Sequence, residues 1–554
     1  MPAPLPERMT PGRSSHEGID QDGRAGAGPS TPIPYRIRVG AVGHRRLEDW
    51  PALAAQVRVA LETIVCWAPS STMTSLRFSV VTALAEGADQ LVAAEVLTQS
   101  DATLEVVLPL PADQFTERWE SQESVRQFHA LLGRAELVTV MPRVKTPEAG
   151  YVQANDYVVA RSEGVIALWD GQPARGPGGT AEVVAMARAR GLPLIWIETA
   201  PPYSIHMERG GGIAAPTFPE LDRFNRERCD RPEEAARTTA WREQLCSAAA
   251  RVGLDHEVVR RYSDWIAPYY LHADALAVAY QRRFQRYGTA FYVLAALAAV
   301  TIPIQVWLFP THALLQLIEI AFIAFTWIVG HRGRDRHRLH QSWIRYRRLA
   351  ERLRISLFLA LLGIRRGYEQ SVTSLALPVD DWTGRAFAEI WRARPRGDLT
   401  STPIDVLTTL LAEAWVDDQI TYFRRRSQWQ QKRAQLFGRL AQTSWLLGII
   451  SVILSAFGLL TTHDAWTAWF KVLDIALPTL ATALNGIASQ RGYERNAARF
   501  SQVAALLTVA KARVANAPDL SALQTVAVQI EGILLEENQE WFAIMEGRDL
   551  AVHA

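Results

Sequence analysis

The sequence predicts two architectures in series. A doubly wound, mainly parallel α/β sheet of Rossmann-like type occupies residues 34–200, and an all-α membrane region with four transmembrane helices in two hairpins follows. Three observations predict this. Short apolar strands alternate with amphipathic helices from Pro34 to Ile197, the pattern of a parallel sheet covered by helices. Gly288–Phe309 carries no formally charged residue, and at about 1.5 Å per residue it spans a hydrocarbon layer of roughly 30 Å. The same design recurs at Leu440–Leu460, also apolar and uncharged.

In chain order, residues 1–33 are rich in Pro, Gly, Ser and Arg and read as a disordered leader. Ile37–Val42 is a strand running into Gly43-His44-Arg45. Trp50–Cys66 places Leu53, Val57, Leu61 and Val65 at helical spacing. Leu76–Thr82 is the second strand. Ala83–Gln99 opens as a small-residue turn and continues as a helix. Thr103–Leu108 is the third strand, Val125–Gly133 a helix and Leu137–Met141 a further strand. Helix Tyr151–Arg161 leads to the apolar strand Gly164–Trp169. A Gly-rich turn, helix Ala181–Arg190 and strand Leu192–Ile197 close the series. Tyr203–Pro219 reads as a linker, within a linker and cytoplasmic helices at 201–286.

The first two-span unit is expected at 287–362. Its second run, Ala313–Gly330, holds one charge, Glu319, and the link Pro310-Thr311-His312 leaves room only for an antiparallel hairpin. A cytoplasmic helical connector is expected at 363–417, and a second two-span unit with a helical tail at 418–554. There Val472–Ala488 contains Asp474, Pro478 and Asn485. In lipid, backbone groups must pair within the segment, which selects helices. Arg282, Arg283, Arg286, Arg332, Arg334, Arg336 and Arg338 flank the first hairpin; Lys432, Arg433, Arg439, Arg491, Arg495 and Arg499 flank the second. The tips hold only Lys471 as a basic residue, so both tips face outward and both termini are cytoplasmic. Trp307, Trp466 and Trp469 suit an outer interfacial belt. Ala273–Leu362 and Asp418–Ala515 share one layout, with Arg345–Arg352 standing where Arg495–Phe500 stands in the second.

Composition narrows the partners. The 554 residues carry a formal net charge of +2, which argues against nucleic acid. The basic residues instead cluster beside the apolar runs, where lipid headgroups meet them. Cys66, Cys229 and Cys246 show neither disulfide nor metal spacing.

The candidate ligand site is built from turns at strand C-terminal ends, where open α/β sheets bind ligands. Asp170-Gly171 and Gly176-Pro177-Gly178-Gly179-Thr180-Ala181-Glu182 let the backbone approach a phosphate, with a helix N-terminus behind it. Thr180 either caps that helix or offers its hydroxyl, and Glu182 is placed to accept from a ribose. Arg45 is suited to clamping phosphate. His44 is either structural or a hydrogen-bond partner for base or sugar. Glu86, Gly87 and Asp89 form the third turn, with Asp89 either a helix cap or a ligand contact. Tyr151 and Asn155 share one helical face, either packing or lining the cleft. The Gly-rich turn lacks the Gly-Lys-Ser/Thr ending that holds a triphosphate with magnesium, and no His, Cys and acidic cluster marks a metal site. No cofactor and no catalytic residue is expected. Glu319 and Asp474 are candidates for lining a pore or for reaching headgroups.

Val39–Arg45, Ala83–Asp89 and Ala167–Glu182 resemble the SLOG superfamily of nucleotide sensors and LOG-type phosphoribohydrolases. Pro177–Glu182 echoes the Pro-Gly-Gly-x-Gly-Thr-x-x-Glu motif of the enzymes, shortened by one Gly and one spacer. No match to their catalytic arginine segment is present. The resemblance therefore implies sensing of a nucleotide-derived small molecule, with N-glycosidic hydrolysis as the alternative. The hairpins resemble SLATT domains, two-transmembrane effectors associated with SMODS and SLOG domains. Together these resemblances imply a bacterial conflict effector of the inner membrane, acting in anti-phage defence as a homo-oligomer that permeabilises the bilayer.

Overall fold

The computed structural model describes residues 32–549 apart from 118, 120, 143–145, 175, 209–212, 214, 216, 229–231, 255, 332, 365–380 and 458–463. Residues 1–31 of the expected leader lie outside the described residues. The chain divides into two compact units. One holds Pro29–Glu227 and, returning from later in the chain, Arg366–Arg392; the other holds Arg228–Arg365 and Ala393–Ala554.

The α/β unit runs β1 (Tyr35–Gly43), α1 (Trp50–Trp67), β2 (Leu76–Thr82), α2 (Ala88–Val96), β3 (Thr103–Leu108) and α3 (Ala112–Thr116). It continues as α4 (Gln122–Leu132), β4 (Leu137–Val140), α5 (Pro147–Arg161), β5 (Gly164–Trp169), α6 (Thr180–Ala189), β6 (Leu194–Glu198), β7 (Ile205–Glu208) and α7 (Phe218–Arg226). The strand order is β4-β3-β2-β1-β5-β6-β7, parallel except for β7. Ile37, Val39 and Ala41 of β1 are fully buried, as a central parallel strand covered on both faces requires. Asp49 accepts from the Ala52 amide at 3.0 Å and Thr146 from Ala149 at 3.3 Å, each followed by a proline in the first helical turn. These caps satisfy donors that a helix start leaves open.

Two expectations are corrected in this unit. Tyr203–Pro219, read as a linker, contributes β7, which pairs antiparallel to β6 with His206 stacked on Trp196. Four residues without clear alternation after Pro201-Pro202 carry too little periodicity to announce an edge strand. The second correction concerns the expected connector 363–417, of which 365–380 lie outside the described residues. Its α12 (Trp382–Arg392) packs on the sheet unit. Trp382 is buried beside Phe224, with ring centroids 5.4 Å apart. Arg36 forks onto Glu389 at 2.7 and 2.9 Å, and Arg385 pairs with Glu163.

The helical unit runs α8 (Pro232–Arg251), α9 (His256–Leu308), α10 (Ala313–His331), α11 (Gly333–Leu361) and α13 (Ile404–Leu411). A π-helical turn, Ala412–Asp417, leads into α14 (Asp418–Ala456), followed by α15 (Asp464–Arg491), α16 (Tyr493–Ala515) and α17 (Leu520–Asp549). Four helical stretches are long and apolar enough to cross a membrane: Glu257–Leu308, Ala313–His331, Ile404–Ala456 and Trp466–Ala515. Helix α10 buries no residue, and Leu314, Ile320 and Trp327 are more than 60% exposed. An aqueous surface does not carry such a patch, whereas lipid covers it.

The expected boundary between cytoplasmic helices at 201–286 and a span unit at 287 falls inside one element. The 53 residues of α9 run unbroken across it, reaching about 80 Å at 1.5 Å per residue. Beyond the apolar stretch, α11 packs back along α9 through Phe284 with His340 and Tyr280 with Tyr346. There Glu351, 4% exposed, lies between Arg347 and Arg354, and Arg354 reaches Gln419 of α14 at 2.8 Å.

Candidate functional site

The order of strands reverses between β1 and β5. Strands β2, β3 and β4 lie to one side of that point, and β6 and β7 to the other. The crevice above the C-terminal ends at such a switch point is where open α/β sheets receive ligands. Gly43 ends β1 in register with Leu168 of β5, and the His44 amide donates to the Leu168 carbonyl at 3.0 Å. The turns after β1 and β5 therefore start side by side.

The turn after β2 lies against the same place. The Ala88 amide donates to the His44 carbonyl at 3.0 Å. Gly87 adopts φ +88°, and a Cβ on it would fall 2.6 Å from the His44 carbonyl oxygen. A Cβ on Gly43 would likewise lie 2.6 Å from the Leu168 carbonyl oxygen. Both glycines are required by close backbone approach.

His44 joins two of the turns. Its Nε2 accepts from the Asp170 amide at 3.0 Å and stands 3.0 Å from Asp170 Oδ1. Asp170 Oδ1 also accepts from the Gln172 amide at 3.0 Å. Arg45 is exposed and Glu86 half-buried. Asp89, by contrast, is 4% exposed and points inward. It accepts from the Thr82 hydroxyl at 2.8 Å and the Ala85 amide at 3.2 Å. Burial pushes its carboxyl up to about 7, with Thr82, Ala85 and the Arg45 charge pulling against that shift. Of its two expected roles, the structure does not give it the cap. The residue at the cap position of α2 is Gly87, and Asp89 braces the turn from below.

The Gly-rich turn is also self-braced. Glu182 Oε2 accepts from the Gly178 amide at 2.7 Å, so one oxygen of the proposed ribose acceptor holds its own loop. Asn155 donates to the Gly178 carbonyl at 2.9 Å. Gly178 has φ +79°, and a Cβ there would meet the Tyr151 Cβ at 2.7 Å. Thr180 does not cap α6; Gly179 occupies that position, without a side-chain bond. Gly171, at φ +74°, and Gly176 are exposed, and no heavy atom lies within 4 Å of a Cβ placed on Gly176.

The structure thus brings Gly43, His44, Arg45, Glu86, Gly87 and Asp170 together at the C-terminal ends of the strands, with Gly176–Gly179 leading into the first turn of α6. Thr82 was missed, because a threonine ending a strand looks like any strand residue. Asn155, expected either to pack or to line the cleft, holds the Gly178 carbonyl. Glu319 and Asp474 belong to the helical unit. Asp474 Oδ1 accepts from Ser451 of α14 at 2.6 Å. Glu319 is half-buried on α10.

Residues 412–541 match the family model of SMODS and SLOG-associating 2TM effector domain 1. They begin at the π-helical turn before α14 and include the second hairpin, so this part of the chain is a two-transmembrane effector domain of that family. No curated protein matches the chain. The α/β unit and the first hairpin lie outside the matched residues.

Proposed function

We propose that the chain is a membrane effector of a bacterial conflict system. The crevice between β1 and β5 binds a phosphorylated, nucleotide-derived ligand, and the hairpins then permeabilise the inner membrane as a homo-oligomer with both termini in the cytoplasm. The observation that carries this reading is the convergence of three glycine-containing turns at the switch point, in a chain whose C-terminal part matches a two-span effector domain. Exposed Arg45 supplies a guanidinium for phosphate, and the Asp170–Gly179 loop supplies close backbone approach. A ligand shifts the hairpins only by its differential affinity for two arrangements of the unit it binds.

Sensing is favoured over N-glycosidic hydrolysis by the shortened glycine motif at Pro177–Glu182, and by the Gly178 amide, which ties one oxygen of Glu182 to its own loop. The test is calorimetric titration of the detergent-solubilised chain with nucleotides, nucleoside monophosphates and NAD, followed by a search for free base. Binding that Arg45→Ala weakens at least tenfold, with no base released, is expected. Released base, or affinity indifferent to Arg45, overturns the reading.

A further inference from the structure

The four spans form an open row. Helix α9 packs against α10 on one side and α15 on the other, and α15 packs in turn against α14. The order is α10, α9, α15, α14. Among the described residues, the two end helices each have one extensive span neighbour.

The two hairpins are also repeats. Arg332-Gly333-Arg334-Asp335-Arg336 and Arg491-Gly492-Tyr493-Glu494-Arg495 share the pattern Arg-Gly-x-acid-Arg at the end of each second span. The contact that joins the hairpins uses the first span of one repeat and the second span of the other. Gly486 of α15 meets the Tyr292 ring of α9, Arg491 donates to Gln285 and Thr289, and Lys471 lies over Trp307 at the other end. Applied once more, the same contact requires α14, the first span of the second repeat, to receive α10, the second span of a first repeat. Among the described residues, α10 and α14 make no extensive contact within the chain.

The two open faces suit it. Helix α14 buries Ala441, Ser444, Gly448 and Ser451 and leaves Trp445, Ile449 and Val452 45–53% exposed along one stripe. Helix α10 leaves Ile320, Ile323 and Trp327 50–61% exposed at matching helical spacing. Where α14 leaves the apolar stretch, a groove of about 650 Å³ opens between it and α16, lined by Gln435, Gly438, Gln442 and Glu494. On α9, the comparable end is where Gln285 and Thr289 hold Arg491.

We propose that copies of this chain assemble head to tail, with α10 of one copy packed antiparallel on α14 of the next. This rests on the permeabilising reading above and names the surface it uses. A contact between unlike faces propagates, and it closes into a ring when the rotations complete a turn.

The test is disulfide trapping in membranes carrying the full chain, with Cys66, Cys229 and Cys246 changed to serine. Ile323→Cys with Ile449→Cys should give a ladder of cross-linked species, and Ile320→Cys with Val452→Cys a second. Each single variant should stay monomeric on a non-reducing gel. Dimers from a single variant mean that like faces meet, and no ladder from either pair means that lipid covers them; either result overturns the contact. Dye release is followed on the same membranes. Release without a ladder removes this interface and leaves the permeabilising reading standing, whereas a ladder without release does the reverse.

Discussion

Nε2 of His44 stands 3.0 Å from both the backbone nitrogen and Oδ1 of Asp170. A neutral ring protonated on Nδ1 accepts from the amide; a ring protonated on Nε2 donates to the carboxylate instead. Either way, one side chain ties the turn after β1 to the turn after β5. His44→Ala should cost about 1 kcal/mol, the usual net worth of such a bond. Amide exchange at Asp170–Gln172 should accelerate by about fivefold, and unchanged exchange there would remove His44 from this role.

The glycines differ in what they tolerate. Gly87→Ala combines φ +88° with a Cβ 2.6 Å from the His44 carbonyl oxygen. It should destabilise the α/β unit by about 3 kcal/mol. Gly191→Ala shares a positive φ of +64° but meets nothing within 4 Å, and should lose only about 1 kcal/mol. Chemical denaturation followed by exchange of the β1 amides ranks the two. Equal losses would show that close packing at Gly87 is unimportant.

Two buried carboxylates should respond to pH in opposite directions. The Asp89 carboxyl is raised by burial from 3.8 to about 7, so the folded state holds the proton more tightly than the unfolded chain. Its contribution is fully present below about pH 4 and is lost as pH climbs through 7. Asp89→Asn should therefore stabilise α2 relative to the parent at pH 8, by about 2–4 kcal/mol, and the gain should shrink at pH 5. Glu351 is the reverse case. Burial alone would raise its carboxyl, but Arg347 and Arg354 hold it below its usual range. Its contribution is present above the ordinary glutamate value and lost in acid. Glu351→Gln should loosen α11 at neutral pH, with the difference fading as pH falls. Site-resolved amide exchange across the pH range reads both.

The sheet was legible because its strands are apolar runs buried on both faces, as at Ile37–Val42 and Gly164–Trp169. The hairpins were legible because long apolar runs with few charges must be helical in lipid. Helix α12 was not assigned to the sheet. Its eleven residues are amphipathic, but nothing local says that Glu389 finds Arg36 more than 350 positions earlier. At the site, the turns were legible as small-residue segments at the C-terminal ends of apolar strands. The directions of Asp89 and Glu182 were hidden, because both carboxylates turn back onto their own loops, and hydrogen-bond closure of that kind leaves no periodic signal.

Glu389→Ala follows from that long-range pair. Arg36 and Glu389 have side-chain exposures of 9% and 6%. Removing the carboxylate leaves a guanidinium buried with only carbonyl and hydroxyl acceptors, at a cost of about 3–5 kcal/mol. Amides of α12 and β1 should both lose protection. Loss confined to α12 would mean that the helix is an appendage rather than part of the sheet unit.

The central claim is that occupancy of the β1/β5 crevice opens the membrane. The most direct measurement is dye release from sealed liposomes containing the full chain, with a nucleotide that binds it added outside to inward-facing crevices and to outward-facing ones in separate preparations. Release that requires the nucleotide on the crevice side and falls at least tenfold in Arg45→Ala is the predicted result. Release that ignores the nucleotide, or persists unchanged in Arg45→Ala, would contradict it.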